Sequence, residues 1–107
     1  MRMWGVEPSL LCQQHLLGEH VEMHMFVGTI RKGISIQGYI DKGLVDPAKI
    51  KQRHEELSAE MVFRGMNHNS PLLSFRKKPA CEIDALGNKK ELHRRCPACR
   101  ERIEGIE

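Results

Sequence analysis

Aromatic side chains are scarce in this sequence of 107 residues, which contains one Trp, one Tyr and three Phe. Leu, Ile, Val and Met must therefore supply most of the buried surface. A chain of this length makes one domain, or one domain with a short appendage. Because a short appendage can bury few apolar side chains, we expect it to need a stabilising cross-link.

Long apolar runs are also missing. No stretch approaches the ~20 apolar residues that a membrane-spanning helix needs, so we expect no membrane partner. Residues 1–5 include one arginine, but no apolar segment of the signal-peptide type follows it. Without a secretion signal, disulfides among the four cysteines are not expected.

Charge is unevenly distributed, although the net charge is only +3. Residues 1–70 carry eight Lys or Arg and eight Asp or Glu, whereas residues 71–107 carry nine and six. A basic segment attached to a neutral body is typical of proteins that bind polyanions, nucleic acid above all. A solvated tail shows the same pattern, so charge alone leaves both interpretations open.

Two helices are predicted in the first seventy residues. The first is predicted to begin near Pro8 and to run through a mixed polar and apolar segment to Lys32. The second begins at a capping Asp46 followed by Pro47, and it ends at Gly65. Four residues of this second helix are spaced at i, i+4, i+7 and i+11 and therefore lie on one face. They are Ile50, His54, Leu57 and Met61.

Metal ligands are spaced through the C-terminal third. Residues 96–99 have the sequence Cys-Pro-Ala-Cys, in which two thiolates can bind one ion. Two upstream residues, Cys81 and His93, are further candidate ligands. With Cys96 and Cys99 they make the four ligands that a tetrahedral structural zinc site needs. His68 is an alternative to His93, and Cys12 is interpreted as a buried helical residue. Free thiols and a redox-active pair remain the other interpretations, although a thioredoxin-like motif would need a βαβ context.

The first helix is rich in titratable residues. His20 and His24 are spaced i, i+4 and could share a metal ion. A metalloprotease motif, HExxH, needs Glu directly after its first His, and Val21 holds that position. The inverted motif HxxEH fails as well, because three residues separate His15 from Glu19. These mismatches argue against a metal site on this helix.

A different interpretation fits the same segment. Gln-His-Leu at residues 14–16 is followed by Glu19 and Glu22, and then by Gly-x-x-Arg-Lys at residues 28–32. Matching positions resume in the second helix, between residues 53 and 67. In the order and ungapped spacing of these motifs, the sequence resembles the pyrimidine-dimer DNA glycosylase/AP lyase family of the phage endonuclease V type.

This resemblance covers residues 1–70 and implies an N-terminal α-amine as nucleophile. In the family, the amine attacks the anomeric carbon of a damaged nucleotide, forms a Schiff base, and the strand is cut by β-elimination. The ungapped register puts Met1 at the nucleophile, and the bulky Arg2 predicts that Met1 is retained. An α-amine is partly neutral near pH 7, which suits it to this task. Glu22 matches the catalytic carboxylate.

The resemblance also implies which residues hold DNA. The matching positions are Arg2, Gln14, His15, Arg31 and Lys32. Arg53 and Arg64 are expected on the surface instead. Val21 and Met25 replace two arginines of the family, and its aromatic C-terminal segment is absent. The expected partner is therefore double-stranded DNA, damaged or abasic, with the lesion left open.

These observations predict an all-α protein in two parts. Residues 1–70 form a helical glycosylase/AP-lyase-like domain, and residues 71–107 form a basic tail held together by structural zinc, with no cofactor for catalysis. An alternative from another class is a non-catalytic, zinc-containing module that binds nucleic acid or protein. The expected location is cytoplasmic, in a bacterial or phage-infected cell or at its nucleoid.

Overall fold

In a computed structural model that describes residues 1–68, 70–76 and 81–107, the chain is helical and no strand occurs in these ranges. The α-helices are α1 (Gln13–Arg31), α2 (Gln37–Asp41), α3 (Ile50–Phe63), α4 (Ala85–Arg95) and α5 (Pro97–Ile106). Short 3₁₀ turns, Pro8–Leu10 and Pro47–Lys49, precede α1 and α3. The predicted all-α fold is confirmed. Within the described ranges, no helix is long and apolar enough to cross a membrane.

The two long helices, α1 and α3, pack against each other and end as the sequence predicts. Each is followed by a glycine in the left-handed region, Gly33 with φ 75° and Gly65 with φ 81°. The carboxylate of Asp46 accepts the backbone N–H of Ala48 at 3.1 Å, before α3 begins. The start of α1 differs from the prediction, because the turn at Pro8 is a separate element and Cys12 is the N-cap.

The core is mainly aliphatic, as the composition predicts, and the C-terminal helices contribute to it. Its largest enclosed side chains include Leu11, Leu16, Met23, Phe26, Ile50, Leu57 and Leu92. Leu92 of α4 and Ile103 of α5 are both buried. Since burying such a side chain stabilises by about 1.5–3 kcal/mol, apolar packing contributes to the attachment of residues 81–107.

Polar contacts also join the C-terminal helices to the first ten residues. The side-chain amide of Asn88 donates to the carbonyl of Trp4 at 2.7 Å, and its oxygen accepts from Arg2 at 2.7 Å. Arg102 donates to the carbonyl of Ser9 at 3.0 Å. The N-terminal segment is thereby joined to both C-terminal helices, α4 and α5.

One cation expected on the surface is buried between the long helices. Arg53 of α3 is 4% exposed, and its guanidinium donates two hydrogen bonds to the carboxylate of Glu19, at 2.5 and 3.0 Å. Arg64 is partly buried and donates to the carbonyls of Pro8 and Leu11. The expectation of a surface role is wrong for Arg53, because the apolar face of α3 includes its position.

Candidate active site and metal centre

The start of the chain lies beside the middle of α1. The backbone N–H of Met3 donates to the carbonyl of Leu44 at 2.6 Å, and Trp4 is buried. This anchoring leaves the amine nitrogen of Met1 3.9 Å from Oε1 of Glu22. The two residues proposed from the sequence to carry catalysis are therefore neighbours.

A cleft of about 440 Å³ surrounds this pair. Five of the sequence-predicted site residues line it, namely Met1, Arg2, Gln14, His15 and Glu22. Gln14, Gly18 and Glu22 follow one another at four-residue intervals, so one face of α1 forms the floor of the cleft. A Cβ atom at Gly18 would meet no atom of the described residues within 4 Å, so the floor is open at that point.

The carboxyl group of Glu22 is partly withdrawn from water, with 28% of its side chain exposed. Burial raises the pKa of Glu22, and the neighbouring carboxylate of Glu19 adds to this effect. The backbone N–H of Arg2 and the N-terminal amine oppose it by favouring the charged form. The net increase makes Glu22 easier to protonate than an exposed glutamate, as a proton-transfer group requires.

Arg2 and Arg95, which we call the cationic wall, line the cleft together with Trp4. The guanidinium of Arg2 lies 3.8 Å from the ring centroid of Trp4, and that of Arg95 lies 5.0 Å from it. Burial and the charge of Arg95 lower the pKa of Arg2. Sequence reasoning missed Trp4 and Arg95, because only the packing of α4 on the N-terminus brings residue 95 to this cleft.

The remaining predicted DNA contacts lie at a distance. Arg31 and Lys32 are at the C-terminal end of α1, about 14 Å along the helix axis from Glu22 at about 1.5 Å per residue. Arg31 donates to the carbonyl of Ser74 at 2.7 Å, and Lys32 is exposed. Neither residue lines the cleft.

Three thiols and one imidazole converge next to the cleft, which is lined in part by the same imidazole. The cluster consists of Cys12, His15, Cys96 and Cys99, whose ligand atoms all lie within 4.8 Å of one another. Nδ1 of His15 is 3.2 Å from the sulfur of Cys12, 3.6 Å from that of Cys96 and 3.5 Å from that of Cys99. In a tetrahedral zinc site with Zn–S bonds of about 2.3 Å, ligand atoms are about 3.5–3.8 Å apart. The cluster could hold a metal ion.

Local helix geometry explains this convergence. Cys12 and Cys96 are the N-caps of α1 and α5, and each thiol accepts the backbone N–H three residues later, from His15 and Cys99. Burial opposes ionisation of Cys96, but hydrogen bonds from the backbone of Cys99 and Ala98 give it a lowered pKa. Burial raises the pKa of Cys99 to about 12.

The cluster differs from the ligand set predicted from the sequence. Cys96 and Cys99 belong to it as predicted, but Cys81 and His93 do not. The thiol of Cys81 lies 3.5 Å from the carbonyl of Ile40. The chain is extended at Cys96 and turns back into α5, so His93 instead pairs with Glu104, with 2.9 Å between Nε2 and Oε1.

Cys12 and His15 complete the set in the structure. Cys12 is buried, as expected, but it caps α1 and its thiol faces the cluster. His68, the alternative fourth ligand, lies beside His20 and His54 instead. Spacing within residues 71–107 could not reveal ligands that come from the start of the chain.

The comparisons with known proteins identify the family of the chain. The profile of the pyrimidine dimer DNA glycosylase family matches residues 1–74. The chain belongs to this family. The resemblance drawn from the motifs is confirmed, and membership implies a glycosylase that acts on DNA. No curated protein and no solved structure matches the chain.

The family match ends before the two C-terminal helices of this DNA glycosylase family member begin. Residues 1–74 include Met1 and Glu22, and also Cys12 and His15 of the cysteine cluster. Arg95 of the cleft, and the two remaining thiols, come from beyond the matched region. Both the cleft and the cysteine cluster are thus shared between the matched region and the C-terminal helices.

Proposed function

We propose that the protein is a DNA glycosylase and abasic-site lyase in which the α-amine of Met1 is the nucleophile. The observation that carries this proposal is the 3.9 Å distance between that amine and Oε1 of Glu22, inside an open cleft. A primary amine can attack a sugar carbon and form a Schiff base. Glu22 is partly buried and easier to protonate than usual, which supports a role in moving protons.

The first half of the reaction replaces one bond at the anomeric carbon with another. The amine nitrogen of Met1 forms a bond to C1′ as the glycosidic bond breaks, and the base leaves with the bonding electron pair and takes up a proton. Glu22 accepts a proton from the attacking nitrogen. It returns this proton to O4′ when the C1′–O4′ bond opens, which leaves a protonated Schiff base. The carboxylate of Glu22 also stabilises the positive charge on the sugar.

The second half cuts the strand. The protonated Schiff base makes a C2′ hydrogen acidic, and its loss as a proton expels the 3′-phosphate with the C3′–O bonding electrons. Water then hydrolyses the imine and frees the amine of Met1. An abasic site enters the same sequence directly, because its aldehyde condenses with the amine and releases one water molecule.

Cations around the cleft support a DNA substrate. Arg2 and Arg95 provide fixed positive charge beside the reacting centre, and Gln14 adds a hydrogen-bonding amide. We assign Arg31 and Lys32 to phosphates on the flanking duplex. Their distance from Glu22 suits contacts several nucleotides from the lesion rather than contacts at it.

For the cysteine cluster, we propose a structural zinc ion. Three thiolates and one imidazole are donors that zinc prefers, and four protein ligands leave no open position for catalysis. The ion would tie the start of α1 to the start of α5. Because His15 and Arg95 adjoin the cleft, the cross-link would hold the cationic wall in place beside Met1. His15 serves here as a ligand whose ring also borders the cleft.

The test uses a DNA duplex with a single abasic site and borohydride, which reduces a Schiff base to a stable amine. The unmodified protein should give strand cleavage and a covalent adduct, while a variant extended by one residue before Met1 should give neither. A DNA-binding module without catalysis would bind the duplex but form no adduct. Equal trapping of the extended variant would contradict the assignment of the nucleophile.

A further inference from the structure

Four histidines meet at a second place, away from the cysteine cluster. They are His20 and His24 of α1, His54 of α3, and His68 of the segment after α3, and their ligand atoms all lie within 4.8 Å of one another. Neighbouring rings in this histidine cluster have centroids 4.8–5.1 Å apart. The two clusters together use five of the six histidines in the sequence, leaving only His93 outside them.

His20 and His54 are buried, His24 and His68 are partly buried, and two nitrogens of the cluster lack hydrogen-bond partners within the described ranges. His20 is 6% exposed and His54 is 1% exposed. Nε2 of His20 and Nε2 of His24 are buried and have no hydrogen-bond partner among the residues that the structure describes. A buried polar atom without a hydrogen-bond partner destabilises the fold. Two such atoms in one cluster indicate that a further group belongs there.

The hydrogen bonds around His68 fix its tautomer. The hydroxyl of Ser58 donates its one hydrogen to the carbonyl of His54 at 2.7 Å. Nε2 of His68, 3.1 Å from the same hydroxyl oxygen, must therefore be the donor in that contact. Its Nδ1 is left with a lone pair.

His54 is held between two acceptors. Nδ1 lies 3.2 Å from Oε1 of Glu55, and Nε2 lies 3.2 Å from the carbonyl oxygen of Ser70. A neutral imidazole has one N–H, so it can donate to only one of them, and its other nitrogen keeps a lone pair. A metal ion would replace one of these two contacts, and the acceptor on the other ring nitrogen would then orient the ring, as is common for ligating histidines.

We propose that His20, His24, His54 and His68 form a second metal site that binds a divalent first-row transition ion, with Zn²⁺ as the probe of choice. Imidazole nitrogens suit Zn²⁺, Co²⁺, Ni²⁺ and Cu²⁺, whereas Mg²⁺ and Ca²⁺ prefer oxygen ligands. Four neutral nitrogens match the tetrahedral preference of Zn²⁺. Ideal Zn–N bonds of about 2.0–2.1 Å put tetrahedral ligand atoms about 3.3–3.4 Å apart, so the atoms that are farthest apart in the cluster must move closer together when the ion binds.

The ion would link three segments of the body. His20 and His24 come from α1, His54 from α3, and His68 from the segment that follows α3. The site is independent of the proposed reaction, since none of these four residues lines the cleft. Its expected role is structural, because four protein ligands fill a tetrahedral ion.

The first experiment separates the two sites by their donor atoms. The full chain is stripped of metal and titrated with Co²⁺, for which absorption from thiolate-to-cobalt charge transfer reports the cysteine cluster alone. Two equivalents should bind, of which only one produces the thiolate absorption. Binding of a single equivalent, entirely accounted for by the thiolate signal, would overturn the proposal.

The second experiment uses variants and elemental analysis for zinc. In a Cys96→Ser background, which removes a thiol of the cysteine cluster, one zinc per chain should remain. Adding His24→Gln should lower that content to none and weaken zinc binding by more than about 10-fold, whereas adding His93→Gln should leave it at one. Equal zinc content in the His24→Gln and His93→Gln variants would contradict the site. If the background variant does not fold, the cobalt titration of the unmodified chain decides.

Discussion

The sulfur atoms of Cys12 and Cys96 lie 4.0 Å apart, although 84 residues separate them in the sequence. Each is the N-cap of a helix, so the starts of α1 and α5 face each other across this contact. The contact joins the region that matches the glycosylase family to the C-terminal helices that lie beyond it. A metal ion bound to both sulfur atoms would link these two regions and thereby stabilise the cleft that they form together.

Two cysteine variants distinguish this ligand set from the one that spacing predicts. Cys12→Ser should contain one zinc fewer per chain than the unmodified protein, because it removes a ligand of the cysteine cluster. Cys81→Ser is the matched control and should keep the full content, since its thiol contacts the carbonyl of Ile40 instead. Loss of zinc from the control alone would favour the sequence-based set of ligands.

The buried ion pair between Arg53 and Glu19 should be important for stability. Arg53→Met leaves the carboxylate of Glu19 buried without its partner, which should lower the free energy of unfolding by about 3–5 kcal/mol. Arg94→Met breaks an exposed pair with Glu91 and should cost no more than about 1 kcal/mol. Urea unfolding of both variants measures the difference, and equal losses would show that burial of the first pair does not matter.

The open floor of the cleft predicts that replacing Gly18 weakens DNA binding, whereas replacing Gly28 on the same helix does not. Gly18→Leu should fill space that the DNA needs and weaken binding of an abasic duplex, while Gly28→Leu should not. A Cβ atom meets nothing within 4 Å at either position. Both changes should therefore favour the helix, because glycine costs about 0.8–1.0 kcal/mol relative to alanine. Titration of labelled duplex measures binding; equal affinities would place the substrate elsewhere.

Glu22→Gln should have opposite effects on activity and stability. The rate should fall about 10²-fold or more, because the proton-transfer group is lost. The raised pKa of Glu22 means that its ionised form destabilises the fold above that pKa, and this cost disappears as the pH falls through it. The variant should therefore be the more stable protein at pH 7 and should lose its advantage in acid.

Glu104→Gln is the matched control, because this carboxylate is exposed and lies away from the cleft. It should leave the rate of strand cleavage unchanged. It should also keep the change of stability with pH that results from the raised pKa of Glu22. Single-turnover cleavage and thermal unfolding at several pH values provide the two measurements. A Glu22→Gln variant with full activity would make this group a structural carboxylate.

Local sequence signals were sufficient for the helices and for part of the cleft. Helices commonly end at a residue in the left-handed conformation, which is usually glycine. Gly33 and Gly65 have this conformation after α1 and α3, so the glycines in the sequence predict both helix ends. Family motifs and an ungapped register predict Met1 and Glu22 as site residues, and the structure places both in the cleft. Arg53 was misjudged, although its position three residues after Ile50 and four before Leu57 puts it on the apolar face of α3.

The metal centres were harder to predict, because their ligands come from separate elements. The spacing of CxxC indicated two thiols, but the other two ligands of the cysteine cluster come from the start of α1. For the histidine cluster, the i, i+4 pair on α1 was visible, whereas His54 and His68 join it only through helix packing. Motifs such as HExxH detect sites within one helix and miss such assemblies.

The central claim is that the amine of Met1 attacks the sugar, and mapping the trapped adduct tests it most directly. The protein is reduced with borohydride on a duplex with one abasic site, digested, and the modified peptide is identified by mass spectrometry. The account predicts the deoxyribose remnant on the α-amine of Met1. Attachment to a lysine side chain, such as that of Lys32 or Lys49, would contradict it.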